Sequence, residues 1–144
     1  MADITDAMAL LQTGDRSGAR HRFAEIWSRM QPIPDPLQEC VLSHYMADLQ
    51  EEIDMELMWD TRALNAALRA TDEDAKNHHP SLSIKDFYPS LHLNLADDYL
   101  RAGDFDSAKR HLQDGLSVLS VLTDSPYVTT IHSGFERIAA RLND

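Results

Sequence analysis

The segment LHLNLADDYLRAGDFDSAKRHLQDGL, Leu91 to Leu116, carries two helix-period runs separated by Gly103-Asp104-Phe105. In the first run Leu95, Ala96 and Tyr99 share one face, and in the second Ala108 and Leu112 do. Small residues beside large ones on facing helices let two backbones cross closely. The pattern therefore predicts a helix over about 87–102, a tight turn at Gly103, and a second helix capped by Asp106 and reaching about Leu122.

Toward the C-terminus, Asp124 with Pro126 just inside predicts one more helix start. Ile131, Phe135, Ile138 and Leu142 then recur at helical spacing over 125–142. Toward the N-terminus lies TDEDAKNHHPSLSIK, residues 71–85, polar and interrupted by Pro80, which reads as a loop insertion. Before it, a helix is expected over about Asp54–Ala70 with Leu57, Met58, Ala63, Leu64, Ala67 and Leu68 as its apolar stripe. Another covers about Leu37–Leu49, with Gln50-Glu51-Glu52 as the junction. Pro32, Pro34 and Pro36 separate these from a helix over about Gly18–Met30, capped by Ser17 and apolar at Ala19, Phe23, Ile26, Trp27 and Met30. A short helix over Ile4–Gln12 comes first. No alternating β-branched run occurs, so the fold class is all-α.

The helices pair, and the pairs echo one another. Gly14 and Gly103 are each followed by Asp, then by Ala five residues on (Ala19, Ala108) and a large apolar residue four further (Phe23, Leu112). Seven residues before each Gly stands another Ala, Ala7 and Ala96. Residues 91–116 resemble a tetratricopeptide repeat, a helix-turn-helix unit of about 34 residues with a Trp-x2-Leu-Gly-x2-Tyr start, then Ala-x3-Phe and Pro. Leu95, Ala96, Tyr99, Ala108 and Leu112 occupy its places, while His92 replaces the Trp and Ser120 the Pro. A first copy, 3–32, fits through Ala19 and Phe23 but has Asp3 and Asp6 in the Trp and Leu places. A middle copy, 35–70, sets Gln50 in the Gly-turn place, Met55 in the small-Ala place and Trp59 in the Phe place. With a third pair at 86–122, a capping helix at 125–142 and the insertion at 71–85, the resemblance implies a single α-solenoid domain of about three antiparallel pairs.

In that family the first helix of each pair lines a concave, peptide-binding face. The resemblance accordingly implies groove positions at Leu93, Asn94, Asp97, Leu100 and Arg101, at His44 and Asp48, and at Met8 and Gln12. Asn94 stands where family members hydrogen-bond an extended ligand backbone, a role that suits an amide able to donate and accept. Arg101 alone cannot make a carboxylate clamp, and Asp48 and Asp97 oppose an anionic terminus. The expected ligand is a basic or mixed-charge protein segment, and the expected role is a non-enzymatic adaptor or regulatory module.

Composition agrees with this. The chain has 144 residues, 43% hydrophobic and 26% charged, with a net charge of −11. One globular domain is expected, and its field repels phosphate backbones and anionic lipid, so neither nucleic acid nor membrane is an expected partner. Arg16, Arg20, Arg22 and Arg29 read as a solvated helix face pairing with nearby acids. The single Cys40 and the acidic start MADITDAMALLQ suit a reducing cytoplasm and offer no signal peptide. Ten Arg against three Lys, with abundant Ala, suit a GC-rich bacterial genome.

Candidate chemistry is sparse. Cys40 and His44 lie one helical turn apart, without a visible third group or oxyanion donor. His78 and His79 with Asp72, Glu73 and Asp74 lack the spacing of a metal site, and the segment lacks the Gly and Glu of a calcium loop. No catalytic residue, metal or cofactor is therefore expected, and Trp27, Trp59, Phe23 and Tyr99 are read as core. Two other readings stand beside the adaptor. One is a homodimer whose groove or terminal helix is filled by its twin, leaving Ile131, Phe135 and Ile138 exposed in the monomer. The other is a small-molecule or metal-binding protein with residues 71–85 folded over the groove as a lid.

Overall fold

A computed structural model describes residues 2–30, 35–78 and 83–143. Within them the chain forms eight α-helices: α1 (Ala2–Gln12), α2 (Arg16–Met30), α3 (Pro36–Asp48), α4 (Ile53–Arg69), α5 (Asp72–His78), α6 (Tyr88–Ala102), α7 (Phe105–Leu119) and α8 (Pro126–Leu142). A 3-10 turn, Ile84–Asp86, precedes α6. Neighbouring helices pack antiparallel, and the main contacts join α1 to α2, α2 to α3, α3 to α4, α4 to α6, α6 to α7, and both α6 and α7 to α8.

Two of the turns are chemically alike. Gly103 adopts φ +84° and Gly14 φ +89°, left-handed values at which a side chain is disfavoured. At the first, Asp104 N–H donates to Tyr99 O (2.9 Å) and Gly103 N–H to Leu100 O (3.2 Å); at the second, Asp15 N–H donates to Leu10 O (3.0 Å) and Gly14 N–H to Leu11 O (3.1 Å). Both are Schellman closures of a helix C-terminus. The Asp after each Gly then opens the next helix: an Asp104 carboxylate oxygen accepts from Ser107 N–H (3.1 Å) and one of Asp15 from Gly18 N–H (2.9 Å). The caps are thus Asp15 and Asp104, in place of the expected Ser17 and Asp106. Ser125, in place of Asp124, caps α8 through Val128 N–H (3.2 Å).

The insertion is not wholly loop. Thr71 and Asp74 form a reciprocal capping box, Asp74 N–H to Thr71 Oγ1 (3.1 Å) and Thr71 N–H to Asp74 Oδ2 (2.8 Å), which starts α5. Ala75 is buried from this helix, and Asp72 Oδ1 accepts from Ser83 Oγ (3.1 Å) and Ile84 N–H (3.0 Å), tying the two ends of the segment together. Asp72 and Asp74 are therefore engaged as caps, and His79 and Pro80 lie outside the described residues.

The core follows chain order. Ile4, Ala7, Ala19, Phe23 and Ile26 pack with Leu42, Met46, Ala47 and Trp59. Leu37 and Cys40 pack with Ala63, Ala66, Ala67, Ala75, Ile84 and Leu91. Ala96, Leu100, Ala108 and Ile138, and beside them Leu119, Ile131 and Phe135, form the last part. Because Ile131, Phe135 and Ile138 are buried within the chain, α8 offers no such face to a twin. On α4 the expected stripe is rotated: Ala63 and Ala67 are buried, but Met58 and Leu68 are exposed and Trp59, Asp60 and Ala66 take their places. Met55, assigned to a close-packed small-residue place, is 40% exposed.

The arginines of α2 only partly follow expectation. Arg22 pairs with Glu25 (3.2 Å), but Arg16 and Arg20 donate to the carbonyls of Asp48 (3.3 Å) and Leu49 at the C-terminal end of α3, where a cation complements the helix dipole. Arg62 sits over the rings of Trp27 (4.8 Å) and Trp59 (4.9 Å), fastening α4 to α2 by cation–π contact.

Candidate functional site

A cleft of about 580 Å³ opens between α3, the start of α6 and the α7–α8 connection. This is within the range of about 300–1,000 Å³ that holds small ligands or peptide side chains. Val41 and Tyr45 of α3, Phe87 and Leu91 at the start of α6, and Leu122, Tyr127 and Val128 supply its apolar surface. His44, Lys85, Asp86, Ser90, Thr123 and Ser125 supply polar groups. Two contacts fix the walls: Tyr127 Oη donates to Asp86 O (2.7 Å), and Tyr45 stacks on Phe23 with ring centroids 5.7 Å apart.

Cys40 also lines the cleft, but its thiol is pushed up to about 12 by burial and by the neighbouring Glu39 charge. At neutral pH it is the thiol and not the thiolate nucleophile. His44 makes a 3.0 Å hydrogen bond with Asn94. With the Asn94 amide donating, His44 Nδ1 accepts and its ring hydrogen sits on Nε2.

Of the positions expected to line a groove, His44 alone reaches the cleft. Asn94 braces it from α6. Leu93 packs toward α8, where a Cβ at Gly134 would lie 2.7 Å from Leu93 Cδ2. Leu100, 7% exposed, is core with Ala96, Ala108 and Ile138. Met8 packs against the α1–α3 core, while Gln12 and Asp48 are exposed. Asp97 pairs with Arg101 (2.9 Å) and with Arg141 of α8 (3.6 Å).

Arg101 is the centre of a second cluster. It clamps Glu56 of α4 with two nitrogens (2.7 and 3.1 Å) and donates to Asp98 Oδ1 (2.8 Å). Such bidentate pairing is among the stronger ionic contacts, it raises the guanidinium pKa further, and it ties Arg101 into the α4–α6 seam. Asp60 and Asp98, 3% and 1% exposed, meet behind it. Asp60 Oδ1 and Asp98 Oδ2 are buried without a hydrogen-bonding partner unless one carboxyl carries a proton. Burial first, then the hydrogen bond to Asp98 and its charge, push Asp60 up to about 10. Burial raises Asp98 to about 6, opposed by the bond from Asp60 and by Arg101. The two shifts point to one proton held by the pair on the Asp60 side, facing the Asp98 carboxylate. Glu56, Asp60 and Asp98 converge as the ligands of a cation would, but Arg101 and this proton already offset two of their three charges.

The buried acids had a sequence signal that went unread. Asp60, Ala63 and Ala67 are spaced 3 and 4, and Leu91, Leu95 and Asp98 are spaced 4 and 3, so each Asp stands on an apolar face. Nothing comparable marks Tyr45, Ser90 or Tyr127, which three separate elements bring together.

Compared with known protein families, with curated proteins and with solved structures, the chain finds no match. Among the described residues no helix is long and apolar enough to cross a membrane.

Proposed function

We propose that the chain is a non-enzymatic peptide-binding module of the tetratricopeptide kind, and that its cleft takes an aliphatic or aromatic side chain of a partner segment carrying Lys or Arg beside it. The observation that carries the reading is the position of the cleft on α3, α6 and α8, the helices that begin the second and third pairs and the closing element. A peptide groove in a stacked array belongs on that side. The preference for a basic neighbour rests on the net charge of −11 and on half-buried Asp86 in the lining, which offsets Lys85 beside it.

Further support comes from the two Gly-Asp turns, alike bond for bond, and from Ala7, Ala19, Ala96 and Ala108, all fully buried at matching places. Core clusters in chain order are also what an array needs, since each unit of a solenoid contacts its neighbours. In the middle pair Ser43 and Trp59 are buried as the Gln50 alignment requires, and the alignment slips only at Met55, after the longer α3–α4 connection.

Selection of random peptides displayed on phage tests the reading. Wild type is expected to enrich sequences with one large apolar residue next to Lys or Arg. Thr123→Trp, an exposed change at the rim, and Ser90→Phe, which fills the cleft, are expected to abolish that enrichment while helicity by circular dichroism is kept. No enrichment over background, enrichment of acidic sequences, or enrichment indifferent to Thr123→Trp would each overturn it.

A further inference from the structure

Where α6 packs on α7, away from the cleft lining, two imidazoles and a carboxylate converge. His92 Nδ1 and His111 Nδ1 lie 3.1 Å apart, and Asp114, one turn beyond His111 on α7, brings an oxygen into the same group, all ligand atoms within 4.8 Å of one another. Two nitrogens bound at about 2.0–2.1 Å to a tetrahedral zinc are about 3.3–3.4 Å apart, so the rings already stand near the separation a metal requires.

The fold holds them there. Tyr99 stacks on His111 with ring planes 8° apart and centroids at 5.5 Å. Gly115 lets His92 lie against α7, because a Cβ there would come within 3.0 Å of His92 Cβ and 2.2 Å of Phe135 Cζ. Without a metal one ring must hold its hydrogen on Nδ1 to bond the other; a metal needs both Nδ1 lone pairs, and the donor ring then moves that hydrogen to Nε2 with no net proton lost. Burial lowers both histidines below their usual range, against the pull of Asp114, and His92 lowers His111 further, which favours the neutral, ligating form.

We propose that His92, His111 and Asp114 form a binding site for a zinc-like divalent transition metal, with the remaining coordination position open to water or an exogenous ligand. Two imidazoles select such ions over magnesium or calcium, which prefer oxygen. The site is independent of the peptide-binding reading, since it uses none of the cleft residues.

The test is titration of the chelator-treated chain with Co²⁺ and then Zn²⁺. One equivalent of Co²⁺ is expected to give a visible d–d band that Zn²⁺ displaces and excess Mg²⁺ does not. In long-range ¹H–¹⁵N spectra Zn²⁺ is expected to move the Nδ1 resonances of both His92 and His111. Asp114→Asn, an exposed change that leaves the fold intact, is expected to weaken binding by about tenfold or more, and His111→Gln to abolish it. No saturable uptake, a shift at Nε2 instead of Nδ1, affinity unchanged by Asp114→Asn, or binding lost on His78→Ala would each overturn the assignment and leave a hydrogen-bonded histidine pair.

Discussion

The turn between α6 and α7 and the turn between α3 and α4 join helix pairs of similar size by opposite means. The first is closed by its own residues, a left-handed Gly103 and a capping Asp104. The second has neither: Leu49 ends α3 in a right-handed conformation, and Glu52 begins α4 with no side-chain cap. α3 and α4 are held instead by contacts long in sequence: Arg69 on Glu39 between the two helices and, from outside the pair, Arg16 and Arg20 of α2, Trp27 of α2 under Arg62, and the Asp60–Asp98 contact to α6. Local chemistry specifies one pair, and long-range polar contacts specify the other.

Perturbing the long-range contact should have the largest effect. Asp98→Ala leaves the Asp60 hydroxyl without its acceptor and removes one carboxylate from Arg101, and is expected to cost about 3–5 kcal/mol in urea unfolding. Asp60→Asn keeps a donor toward Asp98 and should cost below about 1 kcal/mol at neutral pH. A large loss in Asp60→Asn would mean that Asp60 is ionised in the folded chain.

Next in size is a pH effect on the same contact. A carboxyl whose folded pKa is raised binds its proton more tightly in the native state, so its contribution is complete below the unfolded pKa and is lost as pH climbs to the folded one. Wild type should therefore lose stability relative to Asp60→Asn between about pH 6 and about pH 9, by at most about 1.4 kcal/mol per pH unit. Parallel urea midpoints for the two proteins across that range would refute the shared proton.

Smaller effects belong to the local turns. Gly103→Ala and Gly14→Ala place a side chain at left-handed φ and should each cost about 1–2 kcal/mol, by similar amounts if the two turns are equivalent. Asp104→Ala and Asp15→Ala should each cost about 1 kcal/mol, while Glu52→Ala at the uncapped start of α4 should change stability by no more than about 0.5 kcal/mol. Thermal unfolding of the set measures both series, and a Glu52→Ala cost equal to that of Asp104→Ala would remove the contrast.

The same contrast explains what could be read from the amino acids. The all-helical class and most helix spans follow from periodicity and from Gly and Pro punctuation. The caps at Asp15 and Asp104 were missed because, after a left-handed Gly, the residue that completes the Schellman closure also opens the next helix. Helix α5 was missed because among its described side chains only Ala75 is buried, too few to make a period; Thr71 and Asp74 were its one signal. On α6 the groove positions divide between packing and surface, with Asn94 and Asp97 half-buried and Arg101 exposed. That helix contacts α4, α7, α8 and the 3-10 turn, so Leu93 and Leu100 are taken up by packing. The cleft arises instead from residues distant in sequence, whose meeting no periodicity announces.

Keeping Asp60 protonated makes folding itself a proton-uptake reaction at neutral pH. The unfolded chain carries this carboxyl ionised, so the native chain binds one more proton at this residue. The proton must come from the buffer, so the calorimetric enthalpy of unfolding should vary with the buffer's heat of ionisation, with a slope near one proton at about pH 8, where the histidines of both states are neutral.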